Sequence, residues 1–295
     1  MSNSIPPDIK SVLKDGDYAP DYETLRKTYW LLCRNTSVAY ISRMTEMLEV
    51  FTKGFHDHVG KWSEPGSYVN FLQWCYEAVA EQKKGLERLR KADHSGFKWI
   101  RDSMDFRKPF LEPHEWRFDL IGFQGYDKPG VALWAWMEKV IVMSGQTKGT
   151  LGGRLSYPRF DVSKYHFPSQ IGGYPLGENK FIQDGDFVPV TGVWQAISLK
   201  GSCPNFLIRG QQAPQAKIPV LRTDSPAWIG SDGTQHALQS DFDLGDFPTT
   251  WQLMWADDRW KNGREPLGEY EYLDTPEAQL PTEPPVALND PEAAS

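Results

Sequence analysis

The chain has few cysteines, and their spacing excludes the common cysteine frameworks. Cys33, Cys75 and Cys203 are odd in number and far apart, and none of them belongs to a C-x-x-C pair. This spacing is typical of reduced, buried thiols rather than of a disulfide scaffold. We therefore expect a protein of a reducing compartment. With 295 residues the chain can form a core without metal or disulfide staples, so we also expect that it needs no cofactor in order to fold.

Long apolar runs are also missing. Hydrophobic residues make up 40% of the 295 residues, but they never form the run of about 18 that a membrane span requires. The first residues, MSNSIPPDIKSVLKDGDY, contain no apolar signal-peptide core and no small-residue cleavage site. We expect a cytoplasmic protein whose length supports one large domain or two ordinary ones.

Basic residues are absent from the C-terminal end. The formal net charge is -7, but residues 265–295 hold eight acids and neither Lys nor Arg. With 39 acids and 32 bases in the whole chain, residues 1–264 carry 31 acids against 32 bases. The same C-terminal segment contains six prolines. Because this composition buries too little apolar surface to offset the entropy of ordering, we predict a disordered acidic tail over residues 265–295.

The first half of the chain has the apolar spacing of helices. Large apolar residues recur at three- and four-residue steps, which places them on one helix face. The pattern predicts helices over about residues 21–60, 63–92, 96–110 and 130–144. A short connector between the first two favours an antiparallel pair. After a loose arm over residues 1–17, we expect an antiparallel helical bundle over residues 18–149.

The second half has the residue pattern that is typical of strands. Gly and Pro become frequent and the apolar runs shorten, with predicted strands that begin near Lys180, Phe187, Val193, Asn205 and Ile218. Trp251, Trp255 and Trp260 are spaced by four and five residues and predict a final short helix that packs on the sheet. The predicted fold class is α+β, with a β-rich domain over residues 150–264 after the helical bundle.

Cys203 is the first candidate for chemistry, within VTGVWQAISLKGSCPNFLIRGQQAP, residues 190–214. A catalytic thiol needs a histidine base or a helix N-terminus that lowers its pKa. Here Pro204 follows directly, and the nearest histidines in the sequence are His166 and His236. We interpret Cys203 as a packed turn residue. An enzyme that uses this thiol is the alternative.

His56 and His58 are the best candidates for metal ligands. Two imidazoles that are two residues apart point the same way only on an extended chain, whereas this segment ends a predicted helix. We interpret the pair as a polar helix end, and an enzyme that uses it as the alternative.

Two further motifs fail against their templates. The segment Asp241-Phe-Asp-Leu-Gly-Asp246 resembles a calcium loop, but Gln252 stands where a bidentate Glu is required. The glycine-rich stretch 145–153 lacks the Gly-Lys-Ser/Thr of a phosphate loop, and we predict a hinge there. We therefore assign no catalytic residue and no metal ligand.

Residues 83–108 hold nine bases against four acids. Nucleic-acid-binding proteins use such a patch, but usually in a domain that is basic overall, and residues 1–264 are nearly neutral. We interpret the patch as a solvated helix face or a surface for an acidic partner, with nucleic-acid binding as the alternative. The candidate partner-binding residues are Lys84, Arg88 and Lys91 here, and Trp228, Asp241, Asp243 and Asp246 in the β-rich half.

The second half also contains a recognisable motif, P-x-T-G-x-W … G-x-C-P-N-[FY]-L … G-x-x-A-P. Its residues are Pro189, Thr191, Gly192, Trp194, Gly201, Cys203, Pro204, Asn205, Phe206, Leu207, Gly210, Ala213 and Pro214. A terminal W-Q-x-x-W-A-D-D-R-W follows at residues 251–260. With the helical first half, these motifs resemble the bacterial immunity proteins of polymorphic-toxin and type VI secretion systems, most nearly the immunity protein 71/72 group. The resemblance covers residues 20–264 in layout and the second half in motif.

The resemblance implies an antitoxin for bacterial competition rather than an enzyme. Such a protein binds a cognate effector toxin stoichiometrically, here one that acts in the cytosol, such as a nuclease or a nucleotide-consuming enzyme. It implies no catalytic residue, no cofactor and no membrane partner, and it leaves homo-oligomers open. The shared residues are expected to form the fold: Trp194, Cys203, Pro204, Asn205, Trp251, Trp255 and Trp260.

Overall fold

The computed structural model describes residues 20–59, 69–104, 128–157, 160–199, 201–221, 228–229, 235–236 and 242–281. Within these ranges the α-helices are Tyr22–Asn35 (α1), Val38–Val59 (α2), Val69–Leu89 (α3), Gly96–Ser103 (α4) and Lys128–Leu151 (α5). The strands are Phe181–Gln183 (β1), Gly192–Ala196 (β2), Asn205–Leu207 (β3), Ala216–Leu221 (β4), Trp228–Ile229 (β5), Gln235–His236 (β6), Phe242–Phe247 (β7) and Thr250–Ala256 (β8). Helices precede strands, so the predicted α+β class is confirmed. Over the same ranges no helix has both the length and the apolar character needed to cross a membrane.

The chain divides into two compact units. The sheet unit comprises residues 1–30, 153–165 and 171–257, and the helical unit comprises residues 31–152, 166–170 and 258–295. The main change falls between Gly152 and Gly153, close to the predicted boundary at residue 150, but both units also draw on distant parts of the chain. The stretch predicted as a hinge is helical as far as Leu151. The predicted arm over residues 1–17 lies outside the described residues.

The sheet unit is built on a four-stranded antiparallel sheet in the order β1-β8-β2-β3. β4 pairs with β7 and β5 with β6 in two further antiparallel pairs. One face of the four-stranded sheet carries the core, because residues that lie opposite one another across the strands are buried together: Ile182, Trp194, Ala196, Trp251 and Leu253.

The final helix predicted around Trp251 and Trp255 is wrong, because both residues lie in β8. A step of four fits one face of a helix and, in a regular strand, also one face, so the spacing alone does not distinguish the two. In β8 the register shifts where it pairs with Val193 and Trp194, so Trp251 lies opposite Ala196 and Trp255 opposite Val193. The alternation of buried Trp251 and Leu253 with half-buried Gln252 and Met254 identifies the strand. The strands β5 to β7 were not predicted. The predicted strand at Phe187 is only an isolated bridge to Gln212.

The helical unit has a core between α2, α3 and α5. α2 packs against both α3 and α5, and α4 packs on α3. Phe55 of α2 stacks on Phe51 and meets Phe71 of α3 edge-on, each with ring centroids 5.5 Å apart. Further along, Thr45 of α2 donates to Gln82 of α3. The order of these contacts shows that α2 and α3 run antiparallel, as the sequence predicted for its first two helices.

The single helix predicted over residues 21–60 is two helices, α1 and α2, separated at Thr36 and Ser37. Ser37 is the N-cap of α2, since its Oγ accepts the Tyr40 N–H at 3.1 Å. Serine favours this position because its hydroxyl satisfies a backbone N–H that has no partner within the helix.

The prediction of disorder from Glu265 onward is wrong for residues 265–281, which include a 3-10 helix, Glu269–Leu273. The preceding Arg259 donates to the Cys33 carbonyl and to Thr36 Oγ1, both at 2.8 Å, at the end of α1. The buried carboxylate of Glu269 accepts the Ala39 N–H at 3.0 Å in the first turn of α2. These charged residues fold because each satisfies backbone groups at the helix break. Residues 282–295 lie outside the described residues.

Arg34 is fully buried in the helical unit. Its Nη1 pairs with Glu277 Oε1 at 2.5 Å, its Nη2 donates to Gln146 Oε1 at 2.9 Å, and its Nε donates to Asn35 Oδ1 at 3.1 Å. The guanidinium also lies 4.8 Å from the centroid of the Tyr40 ring. A buried charge is tolerated only when it is paired and hydrogen-bonded. Glu277, from the segment predicted to be disordered, is therefore part of the core.

Replacing Glu277 with alanine should lower the free energy of unfolding by about 3–5 kcal/mol, because the buried Arg34 charge loses its counter-charge. The matched control is Glu271→Ala, which removes an exposed carboxylate from the same segment and should cost less than about 0.5 kcal/mol. Urea unfolding followed by circular dichroism measures both. Equal, small effects would show that the pair does not hold the segment.

Candidate functional site

α3 and α4 approach each other at two glycines, Gly85 and Gly96. A Cβ added to Gly96 would lie 2.3 Å from the Gly85 carbonyl oxygen, and a Cβ added to Gly85 would lie 2.7 Å from Cγ1 of Ile100. Neither position accepts a side chain without moving the helices apart. This close packing determines which residues of the two helices meet at the surface.

The residues that meet there are Lys84 and Arg88 of α3 and Trp99 of α4. Lys84 Nζ lies 3.7 Å from the centroid of the Trp99 ring, and Arg88 Cζ lies 6.0 Å from it. Lys91 lies in the turn after α3, three residues beyond Arg88, and is exposed. We call Lys84, Arg88, Lys91 and Trp99 the basic surface. The cation–π contacts hold two cations in place beside an aromatic ring.

The turn after α3 fixes the end of the basic surface. Asp93 N–H donates to the Arg88 carbonyl and Ala92 N–H to the Leu89 carbonyl, each at 2.9 Å. This is the Schellman pattern, in which one residue takes left-handed backbone angles; here that residue is Ala92, with φ 56°. The Arg88 guanidinium donates to Asp93 and Ser95 at 3.0 and 2.8 Å. Hydrogen bonds from Ser95, more than the charge of Arg88, hold the pKa of Asp93 below its ordinary value.

The other predicted partner-binding residues lie in the sheet unit. Asp246 of β7 pairs with Lys217 of β4 at 3.1 Å, so its charge is engaged across the strand pair. Asp243 lies opposite Val220 in the same pair, and Trp228 lies opposite His236 in the β5–β6 pair. The side chains of Asp243 and Trp228, and all of Asp241, lie outside the described residues. Among the predicted residues whose side chains are described, Lys84 and Arg88 are brought together, beside Trp99.

Trp99 is the member of the site that sequence reasoning missed. Its signal is weak, because a tryptophan between Lys98 and Ile100 reads as a core residue of a short helix. Gly85, which stands among strong helix formers within α3, is the more useful clue, since a helix-interior glycine costs about 1 kcal/mol relative to alanine unless a close contact requires it.

The residues of the immunity-protein motif lie in the sheet unit as far as Asp257, and its last three residues, 258–260, belong to the helical unit. Trp194 and Trp251 are fully buried, and their indole N–H groups donate to the carbonyls of Val190 and Pro214 at 3.2 and 2.8 Å. Gly192 is required at its position because a Cβ would lie 2.0 Å from the Trp255 carbonyl oxygen. The T-G-x-W part of the motif therefore serves the contact between β2 and β8.

The C-P-N part of the motif joins the start of β3 to the backbone of two earlier residues, Leu155 and Cys203. Asn205 donates from Nδ2 to the carbonyls of Cys203 and Leu155 at 2.9 and 3.2 Å, and its Oδ1 accepts the Leu155 N–H at 2.6 Å. Pro204 is buried beside it. One amide side chain thus satisfies three backbone groups. The remaining two motif tryptophans, Trp255 and Trp260, are half-buried.

Cys203 is buried among protein groups rather than presented to solvent. It is 1% exposed, and burial raises the pKa of its thiol, although a hydrogen bond with Tyr157 opposes that shift. Tyr157 in turn shares a 2.6 Å hydrogen bond with Thr28. A thiol with a raised pKa stays protonated near neutral pH and is a poor nucleophile. This placement agrees with the interpretation of Cys203 as a scaffold residue.

The histidine segment shows no ligand geometry in the part that is described. His56 is exposed, with Nδ1 3.3 Å from Asp57 Oδ1, and the side chain of His58 lies outside the described residues. Over the described ranges, no group of three or more His, Cys, Asp and Glu side chains is placed to hold a metal ion.

Comparison of the chain with protein-family models, with curated proteins and with solved structures finds no match. The link to immunity proteins therefore depends on the motif residues themselves.

Gly96→Ala should lower the free energy of unfolding by about 1–3 kcal/mol, because the new Cβ overlaps the Gly85 carbonyl and separates α3 from α4. The change should also shift the Trp99 indole resonance as Lys84 moves away. Gly149→Ala in α5 is the matched control: nothing lies within 4 Å of its Cβ position, so it should stabilise by up to about 1 kcal/mol. Chemical unfolding and indole NMR spectra measure both. A stabilising Gly96→Ala would contradict the close approach.

In the native protein, Cys203 should resist iodoacetamide from pH 7 to 9, because burial raises the pKa of the thiol and keeps the sulfur away from the reagent. All three cysteines are buried, so mass spectrometry should find three labels only after unfolding in guanidinium. Rapid labelling of native Cys203 near pH 7 would indicate an activated thiol and favour the enzyme alternative.

Proposed function

We propose that this chain is an immunity protein, which binds a cognate bacterial toxin and neutralises it by stoichiometric protein–protein contact. The observation that carries the proposal is the ordered set of cations around Trp99 in the basic surface. The motif that resembles immunity proteins supports it from the sequence side.

The motif supports the proposal through the role of its residues. Trp194, Cys203 and Asn205 are buried and hold the sheet unit together. A resemblance carried by such residues concerns the scaffold, so the specificity for one toxin must come from residues outside the motif. Lys84, Arg88 and Trp99 are outside it.

The basic surface has the properties of a binding anchor. Tryptophan and arginine supply much of the energy of protein interfaces, whereas lysine is normally depleted because a flexible side chain loses entropy on binding. Lys84 is already ordered by its contact with Trp99, which reduces this loss. Fixed positive charges also accelerate the approach of an acidic partner and select against basic ones. We therefore assign an acidic patch of the toxin to this surface.

The proposal includes a cytoplasmic site of action. Expressing both proteins without export signals tests this part, since protection then requires that the two meet in the cytosol.

The main test is protection of a cell that expresses the toxin encoded beside this gene. The native chain should protect, and the triple variant Lys84→Glu, Arg88→Glu, Lys91→Glu should bind the purified toxin about 100-fold more weakly, equivalent to ~2.8 kcal/mol. Isothermal titration calorimetry measures the affinity and colony counts measure the protection. The matched control reverses three exposed lysines elsewhere, with Lys164→Glu, Lys180→Glu and Lys261→Glu, and should bind like the native chain.

The outcomes separate two parts of the proposal. Absence of both protection and binding by the native chain would show that it is not the immunity protein of that toxin. Full affinity in the Lys84, Arg88, Lys91 variant would move the binding site away from the basic surface.

A further inference from the structure

The residue that follows α3 and the last described segment of the chain contact adjacent residues of α2. Arg90 donates to Ser42 Oγ at 3.1 Å, and the adjacent Arg43 donates to the Ala278 carbonyl at 3.1 Å. Arg90 precedes Lys91 of the basic surface, and Ala278 is three residues before Pro281, the last described residue. The described chain therefore ends three residues after a contact with α2, the helix against which α3 packs.

These residues carry charge opposite to that of the basic surface. Residues 282–295 contain Glu283, Asp290 and Glu292 and neither Lys nor Arg. Fourteen residues span up to about 46–50 Å when extended, whereas Lys84 and Lys91 are separated by about 10 Å along a helix. An extended segment of this length is thus several times longer than the distance from Lys84 to Lys91.

We propose that residues 282–295 bind the basic surface of their own chain and compete there with an acidic partner. The contact is intramolecular, so a short connection gives it an effective concentration in the millimolar range. Each exposed ion pair contributes only about 0–1 kcal/mol, so the surface is occupied part of the time and remains available to a tight ligand.

This competition makes the basic surface selective among acidic partners. A weakly acidic protein does not displace the segment, whereas a cognate partner with good complementarity does. The competition rests on the proposed function of the basic surface, but the intramolecular contact does not, and it is tested without a toxin.

The test uses the full chain with a nitroxide attached to Ser295→Cys and with 15N-labelled tryptophan. The native cysteines are buried, so the label attaches at the new position. At about 0.01 M salt, where the Debye length is about 30 Å, the nitroxide should broaden the Trp99 indole resonance. At about 1 M salt, where the Debye length is about 3 Å, the broadening should disappear.

Two matched charge variants identify the cause. The variant with Glu283→Gln, Asp290→Asn and Glu292→Gln should lose the broadening. The control with Asp258→Asn, Glu271→Gln and Asp274→Asn removes the same charge from exposed described positions and should keep it. As a second readout, a synthetic peptide of residues 282–295 should bind the first variant at least about threefold more tightly than the native chain, because the site is no longer occupied in cis.

Three results would overturn the inference. They are no broadening at low salt, equal broadening after the tail is neutralised, and broadening that depends on protein concentration, which would assign the contact to a second copy of the chain. None of these results bears on whether the native chain protects a cell from the toxin.

Discussion

The helical unit depends on how the polar groups at the break between α1 and α2 are satisfied. When a helix ends inside a core, its last carbonyls have no hydrogen-bond donor within the helix. The first N–H groups of the next helix likewise have no acceptor within that helix. Here Arg259 takes the carbonyl side and Glu269 the N–H side, while Glu277 neutralises the buried Arg34. The carbonyls, the N–H groups and the buried cation are thus each paired with one charged side chain that is held in place. These contacts stabilise the junction at which α2 begins, and α2 then packs against α3 and α5.

The same junction explains which parts of the fold could be predicted. The α+β class followed from two spacings, three to four residues in the first half and short runs bounded by Gly and Pro in the second, and these are local properties. The break at Ser37 was missed because the apolar spacing continues through it. The order of residues 265–281 was missed because composition counts Glu269 and Glu277 as solvated charges, whereas both find partners far away in the sequence. Trp251 and Trp255 were misassigned because a four-residue step fits both periods.

The residues of the candidate site could also be predicted only in part. Lys84, Arg88 and Lys91 could be chosen from charge density alone, and Cys203 could be interpreted as scaffold because no base lies near it in the sequence. The position of Trp99 under Lys84 could not be predicted, since it follows from the contact of Gly85 with Gly96 between two helices. Asp246 was chosen for its charge, and its ion pair with Lys217 across a strand pair could not be predicted from that charge.

The sequence separation between Arg34 and Glu277 affects how the helical unit folds during synthesis. At about 5–20 residues per second, a sequence separation of 243 corresponds to about 12–50 s of synthesis on the ribosome. During that interval Arg34 has no Glu277 to pair with, so its guanidinium stays in water and cannot be buried at the junction. The helical unit therefore completes its core only after Glu277 has been synthesised.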